Sequence, residues 1–543
     1  MFDGKVNERR NIQHQSVKLI SVSVGVRTEQ VVSYFYNLSS HFESKRTMFM
    51  ESFAISPISV AVTLVFILVA VVYYNLKNRD LPPGPLGLPY FGYWPFLNNQ
   101  TCNNHMMDLK KKYGDVFCFT SVGRLYVNLG SFKAIREAHI NKSDCFGGRY
   151  KDFNLLSYVF EDGVGFLNGE PWKEHRKFFL QVLKERGVIS VKDNMSGSMY
   201  EAIKSTIDEI KAMKDDSINM VELVTNKCNA IMRNMLFSEN GISEEQVREI
   251  NESYSTVMEC MTTTNLLLTG NFARYFIFPF MKGYRTAMEN DKNIEKILYK
   301  VIDEHKSTYN EDHMRDLIDD YFKERDTRRS KGDPTAHYFT DRALMYTLKQ
   351  IVSDGVLAVA SFVCLILKTL LDHPDEQEKV YDEVIEKIGV DRQPTIEDKN
   401  KLTYTNAFIL ESLRTSDFFG FVPSLECTKE TTLRGYKIPQ RAITLVNSYS
   451  SHFDEEVYED PQKFCPSRYI MQEGKRRPEL PIPFGVGKRS CIGEAFTMMQ
   501  VFLFLTAIVK NFRLTAPEST STNTYEDLIT GKLRIVAHPR DKK

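Results

Sequence analysis

Three observations predict a mainly α-helical chain with a small amount of β-structure. Residues 196 to 330 read as successive helices with charge on their outer faces. Residues 346 to 372 form one long apolar helix that stops before His373-Pro374, where proline blocks continuation. Strand-like alternation is confined to short stretches. It is found at Val116 to Ser121 and Leu125 to Leu129 around Val122-Gly123-Arg124, and Leu433 to Ser448 reads as a hairpin turning at Gly435 and Pro439.

The 543 residues include 70 basic and 70 acidic side chains, so the net charge is zero and no global field argues for nucleic acid. A content of 42% hydrophobic and 12% aromatic residues is ample for a large core. Nine cysteines, an odd number without C-x-x-C pairs, argue against a disulfide framework and a zinc site. They favour a reducing compartment for the catalytic part. Length alone, at roughly 150 residues per domain, suggests three or four domains.

Residues 53–74 contain 22 residues without a charge, from Phe53 to Tyr74. A helix of about 20 residues spans a bilayer, so this stretch is expected to be a membrane anchor. Lys77 and Arg79 behind it favour a cytosolic C-terminal side, and Lys45 and Arg46 on the other flank weaken that bias. The stretch is long for the apolar core of a signal peptide, and no small-residue cleavage site follows. Ahead of it, residues 1–52 are an extension of open use. Its first 50 residues hold seven basic and four acidic side chains, too many acids for a mitochondrial transit peptide. Starts at Met48 or Met50 would remove most of it, and Asn37-Leu38-Ser39 is a glycosylation acceptor if it faces a lumen. Residues 75–95, with Leu81-Pro82-Pro83-Gly84-Pro85, Pro89 and Pro95, read as a stiff hinge, since proline fixes φ. Residues 96–543 are left as the catalytic domain.

Within that domain, Ser131 is placed to cap the helix after the first hairpin. A helix begins after Pro171, and Trp172 and Arg176, four apart, share one of its faces. Tyr275-Phe276-Ile277-Phe278-Pro279-Phe280-Met281 is too short to span a membrane and too apolar for a solvated loop. It reads as a buried corner or as a surface that dips into a membrane. Glu411 and Arg414 form an i, i+3 pair. Cys491 lies in Phe484-Gly485-Val486-Gly487-Lys488-Arg489-Ser490-Cys491-Ile492-Gly493, ahead of the apolar run Ala495 to Val509. Glycines permit tight turning, and a helix N-terminus favours a thiolate, so Cys491 is a candidate soft metal ligand.

The spacing F-G-x-G-x-R-x-C-x-G resembles the haem-binding signature of the cytochrome P450 family. Trp172 and Arg176 are similar to its W-x-x-x-R, and Glu411 with Arg414 to its E-x-x-R, completed by Arg468. The motifs occur in the family's order, so the resemblance covers residues 81–543. It implies one mostly helical catalytic domain with a small β-rich subdomain and haem b, Cys491 being the axial ligand of the iron. Phe484, Gly485, Gly487, Arg489 and Gly493 would surround the thiolate and porphyrin, and Trp172 and Arg176 would hold a propionate. Glu411, Arg414 and Arg468 would be structural.

On the distal helix the family's A-G-x-[DE]-T-[TS] falls on Asp354-Gly355-Val356-Leu357-Ala358-Val359, counting back from His373-Pro374. Gly355 is kept, but Leu357 replaces the acid and Ala358 the alcohol that organise protonating water. Asp354 and Ser361, four before and three after Ala358, are candidates to compensate, and Asp354, Gly355, Leu357, Ala358 and Ser361 are candidates to line the oxygen site. Ser424 stands where relatives often have a basic propionate contact. The resemblance implies an oxygen- and NADPH-dependent monooxygenase in the endoplasmic reticulum membrane, facing the cytosol. NADPH-cytochrome P450 reductase would be its electron donor, docking on Lys173, Lys177, Lys475, Arg476, Arg477 and Lys488. The altered distal motif and long N-terminus most resemble the Spook-type members of insect ecdysteroid biosynthesis. They imply a sterol of the 7-dehydrocholesterol type, entering from membrane lipid and oxidised in an early step. Alternatives are an isomerase or dehydratase that uses no O2, and a non-catalytic haem or sterol binder.

Overall fold

Strand β1 (Val116–Ser121) and strand β2 (Arg124–Leu129) pair antiparallel, with Val116 opposite Leu129 and Ser121 opposite Arg124. Their two-residue turn places Val122 at φ 46° and Gly123 at φ 75°, the left-handed pair that matches strand twist. These strands belong to a computed structural model that describes residue 65 and residues 80–543. Residues 187–192, 214–215, 238–240, 417–420, 472–477, 518–530, 532 and 541–543 lie outside the described set. The chain divides into Met1–Asp80 and Leu81–Lys543. The expected extension and anchor, and the first part of the hinge, lie outside the described residues apart from residue 65.

Three small sheets accompany the helices. The largest has the order β1-β2-β7-β4, where β4 is Phe421–Glu426 and β7 is Ile443–Asn447. The others are β3-β9-β8 (Ile218–Asn219, Arg534–Pro539, Phe512–Thr515) and the pair β5-β6 (Thr431–Leu433, Tyr436–Ile438). The expected hairpin from Leu433 to Ser448 is therefore corrected. Its first half turns at Arg434-Gly435, but β7 leaves to lie parallel to β2 and antiparallel to β4. All five β7 residues are buried, which suits the centre of a sheet and not a surface hairpin.

The helices that build the site are α1 (Gly169–Glu185), α2 (Met220–Leu236), α3 (Glu244–Cys260), α4 (Tyr284–Thr308), α5 (Asp341–Asp372), α6 (Thr403–Thr415) and α7 (Glu494–Asn511). Helix α1 starts two residues before Pro171, which sits in the first turn where its missing N–H costs nothing. Ser131 caps its helix as expected, accepting the Ala134 N–H. The capping hydroxyl of Thr340 starts α5. This helix is apolar enough to cross a membrane by composition, yet it is mostly buried inside the domain. Its hydrogen bonding widens to a π turn at Asp354–Ala358, a feature common where helices carry function. The main core runs from α1 through α5 to α7 and includes Val356, Phe362, Leu367, Phe496 and Phe502.

The hinge stretch from Leu81 onward is packed on the sheet. Pro83 accepts the Cys118 N–H at 2.8 Å, and Gly92 bridges to Ser121. A Cβ at Gly84 would overlap the Cys118 carbonyl, so only glycine permits this approach.

Candidate functional site

The loop before α7 is shaped by its glycines. Gly485 and Gly487 have φ of 72° and 77°, and a Cβ at Gly487 would overlap the carbonyl of His139. The turn Gly487–Arg489 follows, and Cys491 donates its N–H to Phe484 at 2.9 Å. Gly493, the residue that precedes α7, directs its N–H to Cys491 Sγ at 3.3 Å. Phe484 stacks against Phe362 of α5, centroids 4.9 Å apart. Cys491 and Asp354 are both accessible, yet burial is the first cause that pushes each pKa up. They line an interior space and not the outer surface. The negative charge of Asp354 also raises the Cys491 thiol, which places the two within each other's field.

A group of cations gathers beside this loop. Arg489 gives its Nε to Gly147 O at 3.0 Å and its Nη2 to Leu167 O at 2.8 Å, with its Cζ 3.9 Å from the Trp172 ring centroid. Arg176 donates to Ser490 O at 2.7 Å. Arg149, which no sequence motif marks, is buried and donates to Gly165 O at 2.8 Å and to Ser424 O at 3.0 Å. Burial first, then Arg149 and Arg176, push the Arg489 pKa down to about 8. Neither Arg176 nor Arg489 is in an ion pair among the described residues. Trp172 Nε1 and Arg489 Nη1 are buried without a hydrogen-bond partner among them. Unpaired buried donors and crowded guanidiniums require an anionic acceptor. Two propionates answer that requirement, and a thiolate with a backbone N–H on its sulfur answers the iron, so the residues fit haem.

Glu411, Arg414 and Arg468 come together as expected. Arg414 binds Glu411 through Nε and Nη2, both at 2.8 Å, and Arg468 Nε reaches Glu411 Oε1 at 3.0 Å. The Cys465 N–H adds a fourth bond at 2.8 Å, and Arg414 Nη1 donates to His452 O and Pro461 O. Glu411 and Arg414 are fully buried, and the set ties α6 to the Pro466–Tyr469 turn. Ser424 offers no cation, but its carbonyl holds Arg149, which supplies the positive charge from another strand of chain.

On the distal side the structure separates the two candidates for compensation. Ser361 donates its hydroxyl back to Leu357 O at 2.7 Å. Asp354 Oδ1 accepts the Tyr254 hydroxyl at 3.1 Å, and Gln350 also hydrogen-bonds the carboxyl. Burial raises the Asp354 pKa to about 6. Gly355 faces Met232, whose methyl occupies the room a Cβ would need. Of the basic residues expected to dock a reductase, Lys173 pairs with Glu170 at 2.6 Å and Lys488 with Asp144 at 3.2 Å. Lys475, Arg476 and Arg477 lie outside the described residues.

Comparison with known proteins agrees with this geometry. The family model described as Cytochrome P450 matches residues 82–538. Cytochrome P450 18a1 of Drosophila melanogaster is 29% identical over 470 residues, 83% of this chain and 85% of its own length. Cytochrome P450 2U1 of Bos taurus is 26% identical over 498 residues, covering 86% and 89%. Cytochrome P450 2B3 of Rattus norvegicus is 27% identical over 467 residues, covering 85% and 93%. The chain belongs to the cytochrome P450 family of haem-thiolate monooxygenases.

Proposed function

We propose that this enzyme oxidises an apolar, sterol-type substrate, in an early step of ecdysteroid biosynthesis from a 7-dehydrocholesterol-type sterol. The observation that carries the reading is the wall of the π turn, where Leu357 and Ala358 replace the acid and alcohol usual in the family. That exchange, with the long N-terminus, is the resemblance to Spook-type members.

When bound, haem with a thiolate ligand supplies the activation of dioxygen. Cys491 is the thiolate, and the Gly493 N–H on Sγ restrains its charge. Trp172 Nε1, Arg489 Nη1, Arg176 and Arg149 would hold the propionates. Leu357 and Ala358 have no exchangeable proton, so they exclude water from that wall and move none. Asp354 is the titratable side chain of that turn, its pKa raised by burial to about 6.

The surface supports delivery from membrane lipid. Tyr275, Phe276 and Phe280 are exposed while Phe278 is buried, so the segment combines a buried corner with an apolar outer face. Phe272 packs edge-on against exposed Tyr90 and Phe91 and stacks on Phe276, which joins this segment to the hinge in one aromatic patch. We place the enzyme at the endoplasmic reticulum membrane facing the cytosol, with electrons from NADPH-cytochrome P450 reductase arriving near exposed Lys173 and Lys177.

Leu357 and Ala358 also suit a second reading, an isomerase or dehydratase that needs no protonation of dioxygen. A third is a haem or sterol binder without turnover. Purified enzyme, reductase and 7-dehydrocholesterol under 18-oxygen gas separate them. Label in the product supports the monooxygenase. Unlabelled product formed without NADPH supports the second reading, and a spectral shift without product supports the third.

A further inference from the structure

Asp354 stands in a part of α5 that is otherwise apolar or spent. Ser353 is fully buried, Leu357 and Ala358 carry no polar atom, and the Ser361 hydroxyl is donated to its own helix. Among Asp354, Gly355, Leu357, Ala358 and Ser361, only Asp354 brings a charge, and it stays accessible in the middle of a mostly buried helix. A carboxylate left accessible in the middle of a helix that is mostly buried inside the domain is one that packing alone does not require.

Two donors fix its position. Tyr254, buried on α3, donates to Oδ1 from a residue 100 positions away. Gln350, one turn before Asp354, accepts the Gly165 N–H on Oε1 at 3.0 Å, which leaves its amide N–H groups for the Asp354 carboxyl. A carboxylate has about four lone-pair sites, so two bonds leave it able to accept more. These partners do not serve a proton wire. The Tyr254 hydroxyl is enclosed, and the Gln350 amide carries no acidic proton and has its oxygen on a backbone N–H, so neither side chain can itself replace a proton Asp354 gave away.

We propose that Asp354 is a specificity-determining residue, its carboxylate accepting a hydrogen bond from a hydroxyl of an otherwise apolar substrate while Tyr254 and Gln350 hold that carboxylate in place. The inference rests on the proposed function, in which an apolar substrate binds against the π turn of α5 while the haem takes the space next to Cys491. The hydroxyl is chosen over an ammonium because the neighbouring side chains of the turn are apolar, and a hydroxyl is far cheaper to dehydrate than a charge.

The test uses haem-loaded, full-length wild type, Asp354→Ala, Asp354→Asn and Tyr254→Phe, each first checked for its reduced carbon monoxide band. Dissociation constants are read from the haem absorbance shift with two probe pairs, cholesterol against cholest-5-ene and 1-dodecanol against dodecane. Wild type is expected to bind the hydroxylated member about tenfold or more tightly. Asp354→Ala should bring that ratio to about one, with Asp354→Asn and Tyr254→Phe in between. Should Asp354→Ala fail to retain haem, the latter two variants carry the same comparison. An unchanged ratio in the variants, or no preference in wild type, overturns the inference. Absence of a shift with both sterols overturns the sterol reading alone, and the dodecanol pair then decides the role of Asp354. Absence of a shift with all four probes overturns both.

Discussion

Arg489 lies with its guanidinium carbon 3.9 Å from the centroid of the Trp172 ring, although the two residues come from different ends of the domain. The contact joins α1 to the cysteine loop, and Trp172 Nε1 and Arg489 Nη1 are buried donors with no acceptor among the described residues. Trp172→Phe keeps the ring and removes the N–H. A charge-assisted hydrogen bond of about 1.5–3 kcal/mol is then lost, and haem should leave about ten- to a hundredfold faster. Transfer of haem to excess apomyoglobin measures this, and an unchanged rate would remove Trp172 from the propionate site.

The Glu411 network should behave as a stability element. Glu411→Ala leaves Arg414 buried without its carboxylate, a loss of about 3–5 kcal/mol. Urea denaturation followed by far-UV circular dichroism should show the midpoint drop. A change below about 1 kcal/mol would mean that the Arg414 bonds to His452 O and Pro461 O suffice.

His452 supplies an acid-sensitive element. Its Nε2 accepts the Ile482 N–H at 2.9 Å, and burial, then Arg414, push its pKa down to about 3. The unfolded value is about 6.5. A group with a depressed folded pKa stabilises fully above the unfolded value and loses that contribution as pH falls through the folded one. Stability should therefore fall as pH drops from about 6.5 towards 3. His139, pushed down to about 4 by burial, adds in the same direction. His452→Gln should melt lower than wild type at neutral pH and show a shallower loss between about pH 6.5 and 5.

Leu357→Glu with Ala358→Thr restores the acid and alcohol on the π turn. The ratio of product formed to NADPH consumed should then change, measured together with peroxide release. An unchanged ratio would show that the missing pair has no bearing on how this enzyme handles protons.

The parts legible in the sequence were those that local spacing encodes. Cys491 with its glycines, Trp172 four residues from Arg176, and Glu411 three from Arg414 each declare a shared face or a turn within one element. Arg149 was not legible, because its meaning comes from a bond to the Ser424 carbonyl 275 residues away and from the charges of Arg176 and Arg489. Tyr254 was silent for the same reason, a tyrosine on one helix face until α5 brings Asp354 to it. The separation of β7 from β6 escaped as well. Alternation marks a strand but does not choose its partner, and the burial of β7 from both sides decided that choice.

The most direct test of the account is the reduced carbon monoxide difference spectrum of Cys491→Ala beside wild type. Wild type should show the band of a thiolate-ligated haem, and the variant should lose it while keeping its circular dichroism. Persistence of that band in Cys491→Ala would contradict the assignment of the axial ligand and the cysteine loop built around it.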